Sequence, residues 1–216
     1  MDVYKTEEEQ GEALKKWLRD NGASLLTGLL LGLALLFGGK AWLQYGERKA
    51  EQASNLYTQL AMAVAANDEA AATSQYEMIV KDHGDSTYAV LAALQIARLH
   101  MSHDNGVAAE ATLEWALENA KPAELREVTR ERLVRAAIGN GNLDRAAALL
   151  AEQPDPAFAA IHAELRGDLS LARGDAAAAH AAYEEALAAL PEQAQIRGLL
   201  EAKRDDAVRA PDGGAS

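Results

Sequence analysis

The sequence predicts an all-α protein: an N-terminal single transmembrane helix followed by an α-solenoid of about four helical hairpins plus a capping helix. Three observations predict it. Residues 21–39 form a 19-residue run with no charged side chain, and a helix of about 20 apolar residues crosses the hydrocarbon of a bilayer. From Glu47 onward the chain is rich in Ala, Leu, Glu and Arg and poor in β-branched and aromatic residues, a composition that favours helix. Polar turn pairs then recur at near-constant spacing, the mark of a repeat architecture.

Residues 1–20 form a tail. Glu7, Glu8 and Glu9 suit the start of a short amphipathic helix whose apolar edge is Leu14, Trp17 and Leu18. Residues 21–45 form the transmembrane helix. A cleaved secretory signal is the competing reading, but it needs a short basic start, an apolar stretch of about 7–15 residues and a small-x-small cleavage site. Here 20 residues come first, the run is longer, and Lys40-Ala41-Trp42-Leu43-Gln44-Tyr45 offers no such site. Trp17, Trp42 and Tyr45 suit the two interfaces, and Lys40 can snorkel outward. Ser24, Gly28 and Gly32 recur at i, i+4, i+8 and place a small-residue stripe where a second helix can approach. The alternative is that glycine is simply common in membrane helices.

Basic residues flank the span almost evenly, with Lys15, Lys16 and Arg19 before it and Lys40, Arg48 and Lys49 after it, so the positive-inside rule decides weakly. The short basic tail and the long acidic remainder favour a cytoplasmic N-terminus: after Tyr45 there are 27 acidic and 16 basic residues, net −11, and long domains translocate largely regardless of charge. The absence of cysteine permits a bacterial periplasmic location for the large domain. The expected topology places the N-terminus inside and the large domain outside.

Residues 46–209 carry the repeat. The turn pairs are Asn67-Asp68, Asp104-Asn105, Gly141-Asn142 and Gly174-Asp175. Three residues before each turn stand Val64, Met101, Ile138 and Leu171; seven before, Leu60, Ala97, Val134 and Gly167. Five after each turn stands alanine: Ala72, Ala109, Ala146 and Ala179. Nine after stand Tyr76, Leu113, Leu150 and Tyr183. Two helices joined by a short turn need a small residue where their axes cross, and a large one a turn later fills the gap to the next hairpin. A period of about 34 residues with this arrangement resembles the tetratricopeptide repeat. The last copy is the clearest, with Gly167, Gly174-Asp175, Ala179, Tyr183, Ala186 and closing Pro191. Arg130 stands where an apolar residue is usual, which makes the third hairpin the most divergent. A final helix over about Gln193 to Val208 caps the array, its polar residues Arg197, Glu201, Lys203, Arg204, Asp205 and Asp206 suiting an exposed end. Residues 210–216 read as a disordered tail.

The chain lacks cysteine, a Gly-x-Ser-x-Gly nucleophile turn, a phosphate-cradling glycine loop and His-Glu-x-x-His, so the expectation is a non-enzymatic protein with no cofactor and no metal. His100 and His103 beside Asp104 could share a helix end, but no third ligand is evident. The formal charge of −12 argues against nucleic acid, which needs a basic stripe. Binding by shape remains. The first helix of each hairpin lines the concave surface of such arrays, which predicts a groove formed by Tyr57, Leu91, Leu94, Arg98, Met101, Glu131, Arg135, Ile161 and Glu164. Apolar patches with charges of both signs suit a peptide or an unfolded segment; the alternative is that these residues only pack between helices.

The acidic tail Tyr4-Lys-Thr-Glu-Glu-Glu-Gln10, then Leu14-Lys-Lys-Trp17, Asn21-Gly22 opening a single span, Trp42 and a degenerate tetratricopeptide domain together resemble the YfgM family. These are ancillary subunits of the SecYEG translocon in the inner membrane of Gram-negative bacteria. The resemblance implies a single-pass type II protein of the bacterial inner membrane with a periplasmic solenoid, associated with SecYEG and with the membrane-anchored periplasmic chaperone PpiD. It also implies a role in receiving unfolded segments of translocated envelope proteins and handing them on. Two other functions fit a tethered solenoid: a scaffold for envelope assembly or outer-membrane export, and tail-mediated tethering of a cytoplasmic regulator.

Overall fold

A computed structural model describes residues 7–209, and the expected disordered tail at 210–216 lies outside them. The helices are α1 (Glu7–Ala65), α2 (Glu69–His83), α3 (Thr87–Ser102), α4 (Gly106–Asn119), α5 (Ala123–Gly139), α6 (Leu143–Leu150), α7 (Ala159–Ala172), α8 (Ala176–Ala189) and α9 (Arg197–Arg209), with a 3-10 turn at Pro156–Phe158 before α7. Among the described residues there is no strand. The chain divides into two compact units, one ending at Glu51 and the other starting at Gln52.

The first unit is the N-terminal part of α1. Residues Glu7 to Asp20 form the opening turns of this helix rather than a separate one. Its apolar stretch has a mean hydropathy of 1.8 and none of it is buried by the protein itself. Leu25, Leu29, Leu33 and Leu36 point into open space. A helix that is apolar on every side and has no protein neighbour needs lipid. Two of its polar side chains are satisfied along the helix, as suits hydrocarbon: Thr27 Oγ1 donates to Ala23 O at 2.8 Å and Asn21 Nδ2 donates to Trp17 O at 3.0 Å. At Gly28 and Gly32 an added Cβ would meet nothing within 4 Å.

The second unit is the solenoid. The end of α1 pairs with α2, α3 with α4, α5 with α6 and α7 with α8. Each turn pair works the same way. Its first residue turns left-handed, with φ of 56° at Asn67 and Asp104, 74° at Gly141 and 80° at Gly174, a conformation that Gly and Asn or Asp reach most cheaply. Its second residue is the N-cap of the next helix. One backbone bond closes every turn: the N–H groups of Asp68, Asn105, Asn142 and Asp175 donate to the carbonyls of Ala63, His100, Ala137 and Ser170 at 2.8–2.9 Å, satisfying an orphan carbonyl at each helix end. Asp68 and Asp175 also cap through their side chains, to Ala71 N at 3.0 Å and Ala178 N at 2.9 Å.

The repeat positions are buried as their sizes require. Ala72, Ala109, Ala146 and Ala179 are fully inaccessible. Gly167 lies flat against the Tyr183 ring, and a Cβ there would run into the ring. The position three before the turn is less uniform: Val64 is buried, whereas Met101 is 38% and Leu171 37% exposed. One core joins Leu60 and Val64 to Ala72, Ile79, Ala92 and Ile96. A second runs from Leu94 through Leu113, Leu133, Val134 and Leu149 to Leu165. A third ties Ala179, Tyr183 and Leu187 to Leu200 and Ala207 of α9.

The third hairpin departs from its neighbours. α6 has 8 residues against 14 in α4 and α8. Arg130, only 5% exposed, replaces an apolar contact with ion pairs to Glu127 and, at 2.6 Å, to Glu152 in the loop after α6. The cap also starts later than expected, at Arg197, because the residues after Pro191 turn before the helix begins. Arg197 Nη2 then donates to the carbonyls of Leu187 and Leu190 at 3.0 and 3.1 Å, closing the C-terminal end of α8.

Candidate functional site

The first helices of successive hairpins, α3, α5 and α7, carry the face expected to line the groove, here called the inner face. α7 packs directly on α5. Between α3 and α5 there is a cavity of about 460 Å³, lined by Leu94, Gln95, Ala97, Arg98 and Met101 from α3, Leu113 from α4, and Arg132, Arg135 and Ala136 from α5. Helical spacing explains the set, since residues 94, 98 and 101 share one face of α3 and residues 132, 135 and 136 one face of α5. Leu94 and Leu113, 4% and 2% exposed, make an apolar floor. Three guanidiniums make the rim, and among the described residues no Asp or Glu lines the cavity. An apolar hollow with a few polar groups at its edge is the usual form of a ligand site, and the size falls in the usual range of about 300–1,000 Å³.

Toward the C-terminal end the inner face becomes a charge network. The Arg135 guanidinium lies 3.2 Å from Glu131, 3.5 Å from Glu164 and 3.4 Å from Asp168. Lys203 of α9 reaches in, with Nζ donating to Glu164 Oε1 at 2.6 Å and to Asp168 Oδ1 at 2.8 Å. Tyr183 donates its hydroxyl to Asp168 Oδ1 at 2.8 Å. Burial alone would lower the Arg135 pKa, but the carboxylates of Glu164, Glu131 and Asp168 outweigh it and raise the pKa. The Tyr183 phenol is pushed up by burial first and then by its bond to Asp168. Glu164 is 3% exposed; its charge is tolerated there because two cations face it.

Leu94, Arg98, Met101 and Arg135 thus line one cavity, while Glu131, Arg135 and Glu164 meet in the network. Leu91 and Ile161 are half-buried against the central core, and Ile161 borders a crevice of only about 10 Å³ between α5 and α7. Tyr57 lies apart from these residues, against the first core, its ring 5.8 Å from that of Tyr88. The structure adds Gln95, Leu113 and Arg132 to the cavity and Asp168, Tyr183 and Lys203 to the network. Arg132 and Asp168 follow from helix spacing, three residues before Arg135 and four after Glu164. Lys203, read from the sequence as one of the polar residues of an exposed end, instead turns inward. His100 and His103 both face Glu69, at 3.6 and 3.8 Å, and no group of three or more metal-ligating side chains occurs among the described residues.

A family model described as a tetratricopeptide repeat-like domain matches residues 15–209. Three curated relatives carry the name ancillary SecYEG translocon subunit. The Haemophilus influenzae protein is 33% identical over 85% of this chain and 90% of its own. The Escherichia coli protein is 30% identical over 85% of this chain and 88% of its own, and that of Aggregatibacter actinomycetemcomitans 29% over 85% and 90%. No solved structure matches. With a repeat-like domain matched over residues 15–209 and relatives aligned over 85% of its length, the chain belongs to the YfgM family of ancillary SecYEG translocon subunits.

Proposed function

We propose that this protein is a non-enzymatic ancillary subunit of the SecYEG translocon, anchored by residues 21–45, with residues 46–209 in the periplasm and residues 1–20 in the cytoplasm. There it receives segments of translocated envelope proteins in its inner groove and works with PpiD in handing them on. The α3–α5 cavity carries this reading: an apolar floor with a polar rim on a domain tethered to a membrane. Leu94, Arg98, Met101 and Arg135 would make the contacts, with Leu91 supporting Leu94 from the core. The partnership with SecYEG is supported by the names of the relatives, and that with PpiD by the family resemblance alone.

The stripe of Ser24, Gly28 and Gly32 is the proposed contact with a translocon helix. Glycine in a helix costs about 0.5–1 kcal/mol relative to alanine. None of the described residues lies close enough to Gly28 or Gly32 to require it, whereas close approach of a second membrane helix would.

Site-specific photo-crosslinkers in native membranes test the reading. A probe at Leu30 should capture a SecYEG subunit, one at Trp42 should capture PpiD, and one at Met101 should capture a secretory chain stalled in transit. Failure of all three while SecYEG remains intact would overturn it.

A further inference from the structure

We infer that the α3–α5 cavity selects segments that place a carboxylate next to an aliphatic side chain, with Arg98 and Arg132 as the selecting pair. This rests on the groove reading above and names the class of segment the groove takes. It starts from charge accounting. Of the eleven arginines from Gln52 onward, Arg98, Arg126 and Arg132 are those that lack a carboxylate within ion-pair distance among the described residues. In a region where acid outnumbers base, an unpaired guanidinium is the exception, and two of the three border one cavity from opposite helices.

The cavity's third arginine does not share that freedom. Arg135 is held by Glu131, Glu164 and Asp168, so the attraction left for a ligand comes from Arg98 and Arg132. Among the described residues Arg98 donates to the neutral amide oxygen of Gln95 alone, at 3.3 Å. A guanidinium offers a planar fork that fits a carboxylate bidentately, and charge-assisted bonds of this kind are roughly twice as strong as neutral ones. Between the two arginines Leu94 and Leu113 close an apolar floor, which takes an aliphatic side chain. Gln95 in the same wall gives an amide that can pair with a peptide backbone. An acyl chain has no use for that amide, so the geometry favours a peptide over an anionic lipid.

The test uses the full chain in nanodiscs and short fluorescent peptides with a common aliphatic core. In one peptide the flanking residues are Asp and Glu, in another Asn and Gln, in a third Lys. The acidic peptide should bind about tenfold tighter than its amide counterpart, with the lysine peptide weaker still. Arg98→Gln with Arg132→Gln should abolish the ranking. Arg126→Gln, which alters the unpaired arginine outside the cavity, should preserve it. Both arginines of the pair are exposed, and far-UV circular dichroism confirms that each variant is folded. Equal affinities in the wild type, or a ranking that survives the double substitution, would overturn the inference. So would displacement by oleate with no ranking among peptides, which would point to a lipid site. The two levels fail separately: a Met101 probe that captures translocating chains of every charge equally leaves the groove reading standing and sinks the selection.

Discussion

Gly167 shows what a single atom decides. The Tyr183 ring occupies the place a Cβ would take, and from there its hydroxyl reaches Asp168. Gly167→Val should therefore destabilise the solenoid by about 1–3 kcal/mol, the usual cost of overpacking a filled core. Urea unfolding measures it, and an unchanged midpoint would show that the ring can move aside. Two tyrosines also set a limit at high pH. Tyr76 stands edge-on to Trp115, with centroids 6.2 Å apart, and burial pushes its phenol from 10.0 up to about 12. The folded state thus holds this proton more tightly than the unfolded chain. The stability it confers is whole below pH 10.0 and drains away as pH rises through about 12. Tyr76→Phe should lose less stability than the wild type across that window, followed by circular dichroism during alkaline titration. Alanine at the four helix crossings was legible in the sequence because its cause is local: the turn fixes where two axes meet, and only a small residue fits there.

Local causes also explain most of the elements, and distant ones explain the misses. The turn pairs located four hairpins because a left-handed residue followed by an N-cap is written in two adjacent letters. The inward course of Lys203 was not legible. Its partners Glu164 and Asp168 stand 39 and 35 residues away, beyond any helical period, and a polar residue on a terminal helix otherwise reads as solvated. Arg130 reads as an anomaly by itself and becomes sensible only beside Glu152, 22 residues on. The cavity was legible in part. The α3 side followed from spacing, whereas Gln95, Leu113 and Arg132 needed the neighbouring helices in place. Lys203 is what fastens α9 to the inner face. Lys203→Met should cost about 1.5–3 kcal/mol, the range for hydrogen bonds to charged groups, and hydrogen exchange in α9 should quicken. Arg204→Met, which breaks a pair with the exposed Asp205, should leave the unfolding midpoint essentially unchanged, since exposed ion pairs contribute little. Unaltered α9 exchange in the Lys203 variant would mean that Leu200 and Ala207 hold the helix without it.

At the scale of the whole chain, two solvents are involved. The unit from Gln52 onward has its own apolar cores, so a fragment beginning there should be soluble, helical and cooperative in thermal unfolding. The full chain should stay with the membrane through alkaline carbonate extraction, because the leucines of its first unit have no protein to cover them. Release by carbonate, or aggregation of the fragment, would contradict that division. The cavity between α3 and α5 has one more consequence. It is a hollow lined by no carboxylate among the described residues, in a region with 27 acidic and 16 basic residues. At physiological ionic strength a charge is felt over about 8 Å. An anionic segment approaching from farther off meets net repulsion and comes under the guanidiniums only at close range. Added salt then acts in opposite directions, easing arrival and shortening the stay. Discrimination in such a hollow is exercised by dwell time rather than by encounter, so a segment of the wrong charge is free to visit but leaves first.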